Sequence, residues 1–223
     1  MDIFTVEFLV ALLSIIMIDL VLAGDNAIVI GMSAKNLPIH HRRKAIMWGT
    51  AGAVVIRVLA TLAIVWILKI PGLQLVGGLI LIWIAYKLLV EDGDAGDHKA
   101  SKTLMSAIGT IIVADTIMGL DNVLAVAGAA NASNHSFLLV VIGLIISIPI
   151  MVWGSTLFVK LIDKYPIIIY IGSAVLAFTA ARMITHEPFL HDFFDANPYV
   201  GWIMIALVTV GVVMAGRYKN RKQ

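Results

Sequence analysis

The sequence predicts an all-α polytopic membrane protein of seven transmembrane helices, built as two inverted three-helix repeats followed by a C-terminal helix. Three observations lead there. Hydrophobic residues make up 61% of the 223-residue chain and charged residues 13%, with a mean hydropathy of +0.99; a soluble domain is about half apolar and a quarter charged. Apolar runs of about twenty residues, the length that crosses a bilayer, recur along the chain. A short acidic motif in the first run returns in the fourth.

The first predicted span covers 6–32. Its lead, "MDIFTVEF", has no basic n-region, and no small-residue cleavage site follows, so the run reads as a retained span and not as a signal peptide. "KNLPIHHRRK" reads as a polar loop whose basic residues face lipid headgroups, and the second span follows at 45–68. "KIPG" is a tight turn into the third span at 72–90, and "EDGDAGDHKASK" is a polar loop before the fourth at 103–130. The fifth lies at 137–159 and the sixth at 166–184. "HEPFLHDFFDANP", an acidic loop with prolines, separates the sixth from the seventh at 199–216. Spans one and four are long, which leaves room for tilt or an unwound section.

Charge predicts the orientation. With the N-terminus outside, Lys35, Arg42, Arg43 and Lys44 fall in the first inner loop. Lys87, Lys99 and Lys102 flank the second, Lys160 and Lys164 the third, and Arg217, Lys219, Arg221 and Lys222 form an inner tail. Only Lys69 lies in an outer loop, while Arg57 and Arg182 lie within spans. The positive-inside rule therefore selects N-out, C-in. Lys87 and Arg182, near opposite ends of equivalent helices, read as snorkelling side chains. The acidic loop residues Glu91, Asp92, Asp94, Asp97 and His98, and His186, Glu187, His191, Asp192 and Asp195, read as solvated. "DGDAGD" lacks the terminal Glu and the spacing of an EF-hand loop.

The motif is "DLVLAGDNAIVI" at 19–30 and "DTIMGLDNVLAV" at 115–126: Asp, five small or apolar residues, Asp-Asn, then an apolar run, at an offset of 96. Gly77 and Lys87 echo in Gly172 and Arg182 at an offset of 95. Repeat one then spans about 6–90 and repeat two about 103–184, with the seventh helix outside both, in one transmembrane domain over 1–223. Three is odd, so the second repeat enters the membrane from the opposite side. Such inverted repeats are a recurrent plan of transporters, with the site at the midplane.

From Phe8 to Met32 the only charged groups are Asp19 and Asp25, and each acid costs about 2.5–3.5 kcal/mol to insert. Six residues turn a regular helix by about 600°, so the two acids converge only if the backbone departs from ideal geometry. Gly24 and Gly119 sit where a departure is cheapest, which predicts kinks or unwinding in spans one and four. The glycines Gly24, Gly31, Gly119 and Gly128 serve equally well for close helix packing. Asp19, Asp25, Asn26, Asp115, Asp121 and Asn122, with freed carbonyls, make an all-oxygen set that suits a hard divalent cation. With no Cys in the chain and no His in a span near the acids, zinc and copper(I) are disfavoured. Mn²⁺, Mg²⁺ and Ca²⁺ remain. Met17 and Met118 lie nearby and read as pliable packing, though a thioether would favour Mn²⁺.

Four ionised carboxylates carry −4, Arg57 supplies +1 as a charge partner, a divalent ion adds +2, and a shared proton neutralises the rest. Metal and proton then compete for the same oxygens, which is a basis for exchange. The alternatives are intramembrane acids acting as hydrogen-bonding glue, an aspartyl protease dyad, an exporter of amino acids or other small solutes, and an accessory subunit of a membrane enzyme. A protease needs two acids and not four, and an organic solute needs apolar walls and a helix end. The expected partners are the metal ion and the bilayer, with no nucleic acid. The sequence leaves open whether a second copy or a partner membrane protein joins them.

The motifs "DLVLAGDNA" and "DTIMGLDNVLA", the seven-span layout and the short length resemble the TerC family of integral membrane proteins, in its compact bacterial YjbE-like branch. The resemblance covers essentially the whole chain. It implies a non-enzymatic manganese exporter of the bacterial inner membrane, with no cofactor beyond the transported ion. It also implies that Asp19, Asp25, Asn26, Asp115, Asp121 and Asn122 hold the metal. The second motif departs from the first, reading Gly-Leu-Asp for Ala-Gly-Asp.

Overall fold

The computed structural model describes residues 6–22, 24–67, 70–93, 103–131 and 136–221, excepting the side chains of 7, 11, 18–22, 62, 64–67, 91–93, 120–131 and 136–140. Among them every regular element is a helix: α1 (Val6–Leu22), α2 (Gly24–Lys35), α3 (Ile39–Ile67), α4 (Leu73–Gly93), α5 (Leu104–Asn131), α6 (Ser136–Lys164), α7 (Ile167–Thr185), α8 (Pro188–Ala196) and α9 (Pro198–Asn220). Helices are what a lipid solvent demands, since every backbone N–H and C=O must be satisfied within the segment. Hydroxyls inside these helices follow the same rule: Ser147 donates to the carbonyl of Gly143 at 2.9 Å, and Ser155 to that of Met151 at 2.7 Å.

Five helices carry apolar stretches long enough to cross a membrane: Ile39–Thr61, Leu73–Val90, Val141–Lys164, Ile167–Thr185 and Pro198–Asn220. Two shorter apolar stretches, Phe8–Met17 and Leu104–Gly119, lie in α1 and α5. Only 22% of the α9 stretch and 28% of the α6 stretch is buried. Trp48, Trp153, Trp202 and Leu207 are all largely exposed. Water does not tolerate so much contiguous apolar surface, and lipid does. The protein is an integral membrane protein.

Three predicted boundaries change. His40 to Lys44 do not form a loop but the first turns of α3, because Pro38 opens that helix, its carbonyl accepting the N–H groups of His41 (2.8 Å) and Arg42 (3.0 Å). The fifth predicted span continues to Lys164. The acidic loop contains α8, a short amphipathic helix with Phe189 and Phe193 exposed on one side, suited to lie in the membrane interface. The "KIPG" turn is as expected: Gly72 has φ +81, a conformation only glycine adopts cheaply.

Long-range polar contacts tie the helix ends. Glu187, fully buried after α7, accepts the N–H groups of Gly72 (2.8 Å), Gln74 (2.9 Å) and Leu75 (3.1 Å) at the start of α4. It is a cap supplied from the other end of the chain, and not the solvated residue the sequence suggests. Elsewhere Arg42 pairs with Asp163 at 2.6 Å, and Asn220 donates to the carbonyl of Leu89 at 3.1 Å.

Three apolar clusters form the interior. One joins Val29 and Met32 of α2 to Leu81, Ala114, Met118, Leu176 and Val212. A second joins Phe8 and Ile15 to Val54, Leu144 and Met151. The third joins Ile30 and Ala34 to Ile46, Ile111 and Val159. Where α2, α3 and α5 bring the edges of these clusters together, the buried charges lie.

Candidate functional site

The site begins at the junction between α1 and α2. α1 ends at Leu22 and α2 begins at Gly24, either side of Ala23, which lies outside the described residues. Asp25 occupies the first turn of α2, where a carboxylate is favoured by the helix dipole. Its Oδ1 accepts the backbone N–H of Asn26 at 2.9 Å, and its Oδ2 lies 3.5 Å from the hydroxyl of Thr179 on α7. Asn26 is 1% exposed, yet neither Oδ1 nor Nδ2 of its amide has a hydrogen-bond partner among the described residues. An orphaned buried amide costs about 1–3 kcal/mol. It is a group waiting for a ligand or for water.

Asp115 lies midway along α5, buried, and accepts a hydrogen bond on Oδ2 from Nη2 of Arg57 on α3 at 2.9 Å. Their side chains are 3% and 1% exposed. Asp25 on α2 and Asp115 on α5 lie on helices that pack against one another. Apolar neighbours one turn away hold each group: Val54 beside Arg57, Ile111 and Met118 beside Asp115, and Val29 and Ile30 beside Asn26. Asn26, Arg57 and Asp115 are buried, and Asp25 is half-buried.

α5 runs unbroken through Gly119, so the unwinding predicted for the fourth span does not occur, while Ala23, beside the departure predicted in the first span, lies outside the described residues. Gly119 instead makes room: a Cβ there would lie 3.1 Å from Arg57 Nε. The missing side chain lets the guanidinium reach Asp115, one turn back on the same helix.

The side chains of Asp19, Asp121 and Asn122 lie outside the described residues. Among the described residues, no group of three or more His, Asp or Glu forms a metal cluster. Met118 packs in the first apolar cluster and Met17 is half exposed, both as packing residues. Thr179 is not singled out by sequence, being one of several hydroxyls in its span beside Ser173 and Thr185. A cavity of about 340 Å³ opens between α7, α8 and α9, lined by Phe178, Arg182, His191, Asp195 and Trp202 among others. It includes none of Asp25, Asn26, Arg57 or Asp115, and so is separate from the buried charges.

A helical membrane bundle with acids and a guanidinium buried between its helices defines the class. The chain belongs to the integral membrane protein TerC family, whose sequence profile matches residues 4–223. It is 43% identical over 212 residues to the uncharacterized membrane protein YjbE of Bacillus subtilis, covering 95% of this chain and 96% of that one. It is 26% identical to the uncharacterized membrane protein YkoY of the same organism, covering 94% and 73% of the two chains. It is 25% identical to the inner membrane protein YgdQ of Escherichia coli, covering 95% and 93%. No solved structure gives a significant match.

Proposed function

We propose that this protein exports divalent metal cations, Mn²⁺ foremost, across the bacterial inner membrane by alternating access, with protons exchanged at the same carboxylates. It is not an enzyme in this reading. The observation that carries it is the buried amide of Asn26, without a hydrogen-bond partner among the described residues, beside Asp25 in the first turn of α2. Carboxylate and amide oxygens are donors a hard cation takes. Asp19, Asp121 and Asn122 complete the donor set by motif. The Arg57–Asp115 pair speaks against a protease dyad, which shares one proton between two acids.

The packing supports seven spans in two inverted repeats. α1 with α2 forms the first span and α5 the fourth, each long enough to cross at 1.5 Å rise per residue. Exchanging the repeats maps the contact of α3 with α5 onto that of α6 with α1 and α2, and the contact of α4 with α5 onto that of α7 with α2; α4 and α7 pack on each other. Gly77 packs against Ile117 of α5, and Gly172 against Ile28 and Met32 of α2, so each glycine lies against the motif helix of the other proposed repeat. The basic start of α3 meets the basic end of α6, and the basic end of α9 meets the end of α4, in keeping with N-out, C-in.

The test is flux of Mn²⁺, Ca²⁺ and Mg²⁺ into proteoliposomes for wild type and Asp25→Asn. Flux of Mn²⁺ that falls at least tenfold in the variant is expected. Folded wild-type protein that moves none of the three ions overturns the proposal.

A further inference from the structure

The charge least explained by a cation site is the cation already in it. Arg57 sits at mid-helix in α3, its side chain 1% exposed, its Nη2 on Asp115 at 2.9 Å. A guanidinium remains protonated in proteins, so this is a fixed positive charge where a lysine would be free to discharge. Gly119 reserves its space. Asp25 on α2 and Asp115 on α5 lie on helices that pack together, and the guanidinium already occupies one of the carboxylates the carrier reading assigns to the ion.

We infer that Arg57 is the resident counter-cation of the empty site, and that a metal ion takes Asp115 by displacing its guanidinium. This rests on the reading of the site as a cation carrier. An unpaired carboxylate and an unpaired guanidinium are both costly when buried, so the pair holds the unloaded site together. Each arriving ion must separate them, and its net affinity is lowered by that work. A transported ion has to bind weakly enough to leave. The pair also keeps the empty carrier from exposing an uncompensated acid while it reorients. Arg57 is a positioning residue in this scheme, since it does not touch the ion.

The decisive measurements are equilibrium Mn²⁺ binding by calorimetry and saturation kinetics of Mn²⁺ flux, on purified wild type, Arg57→Gln and Arg57→Lys. Arg57→Gln is expected to bind Mn²⁺ at least tenfold more tightly, with KM and kcat both falling because release is slowed. Arg57→Lys, whose point charge grips a carboxylate less well than a fork of two N–H groups, is expected to tighten binding two- to fivefold. A structural role alone predicts weaker or unchanged binding in both. Folded Arg57→Gln with affinity equal to or below wild type overturns the inference. If that variant does not fold, Arg57→Lys with affinity equal to or below wild type does so. Wild type that binds no Mn²⁺, Ca²⁺ or Mg²⁺ sinks the carrier reading itself, a different failure.

Discussion

Asn26 shows how a residue can be poor for folding and good for a ligand. Its side-chain oxygen and nitrogen are buried without partners, while a leucine of similar volume would leave nothing unsatisfied. Replacing a buried orphan with an apolar isostere is neutral or stabilising. Asn26→Leu should therefore raise the stability of the metal-free protein by about 1 kcal/mol and abolish the thermal shift that Mn²⁺ produces in wild type. Thermal denaturation in detergent with and without Mn²⁺ reads both effects, and an unchanged Mn²⁺ shift would remove Asn26 from the site. The motif made Asn26 legible as a candidate. Its burial without a partner depends on the packing of α2 against α5, α6 and α7, which no single residue reveals.

Helix ends carry the next lesson. α4 begins without a side-chain cap of its own, after a glycine turn, and Glu187 supplies one across 115 residues of chain. Three backbone N–H groups depend on that carboxylate. Glu187→Ala should cost about 3 kcal/mol, the range for hydrogen bonds to a buried charged acceptor, and should speed hydrogen exchange in the first turn of α4. Stability within 0.5 kcal/mol of wild type, the range of an ordinary surface change, would mean that water replaces the cap. Sequence placed Glu187 among loop acids because a cap from a distant helix has no local pattern. The same limit applied at Gly119, where hinge and packing shared one signature until the position of Arg57 separated them.

At the scale of the whole bundle, the carrier reading gives ion and proton the same carboxylates to compete for. Mn²⁺ binding should weaken as pH falls, by up to about tenfold per pH unit for each proton released on binding. Calorimetry between pH 8 and 5.5 in buffers of different ionisation heat measures both affinity and proton release. Binding that is independent of pH and releases no proton would exclude exchange at shared carboxylates.

Composition alone determined the solvent of this protein: a chain 61% hydrophobic and 13% charged belongs in lipid, and lipid admits helices because they satisfy their own backbones. Sequence also determined where the costly residues stand, since an acid in an apolar run is visible without coordinates. Only the tertiary structure decided what each charge meets. Arg57 is 58 residues from Asp115, and Glu187 is further still from the helix it caps. Such partners are chosen by how helices pack, a property of faces and crossing angles that linear spacing does not encode.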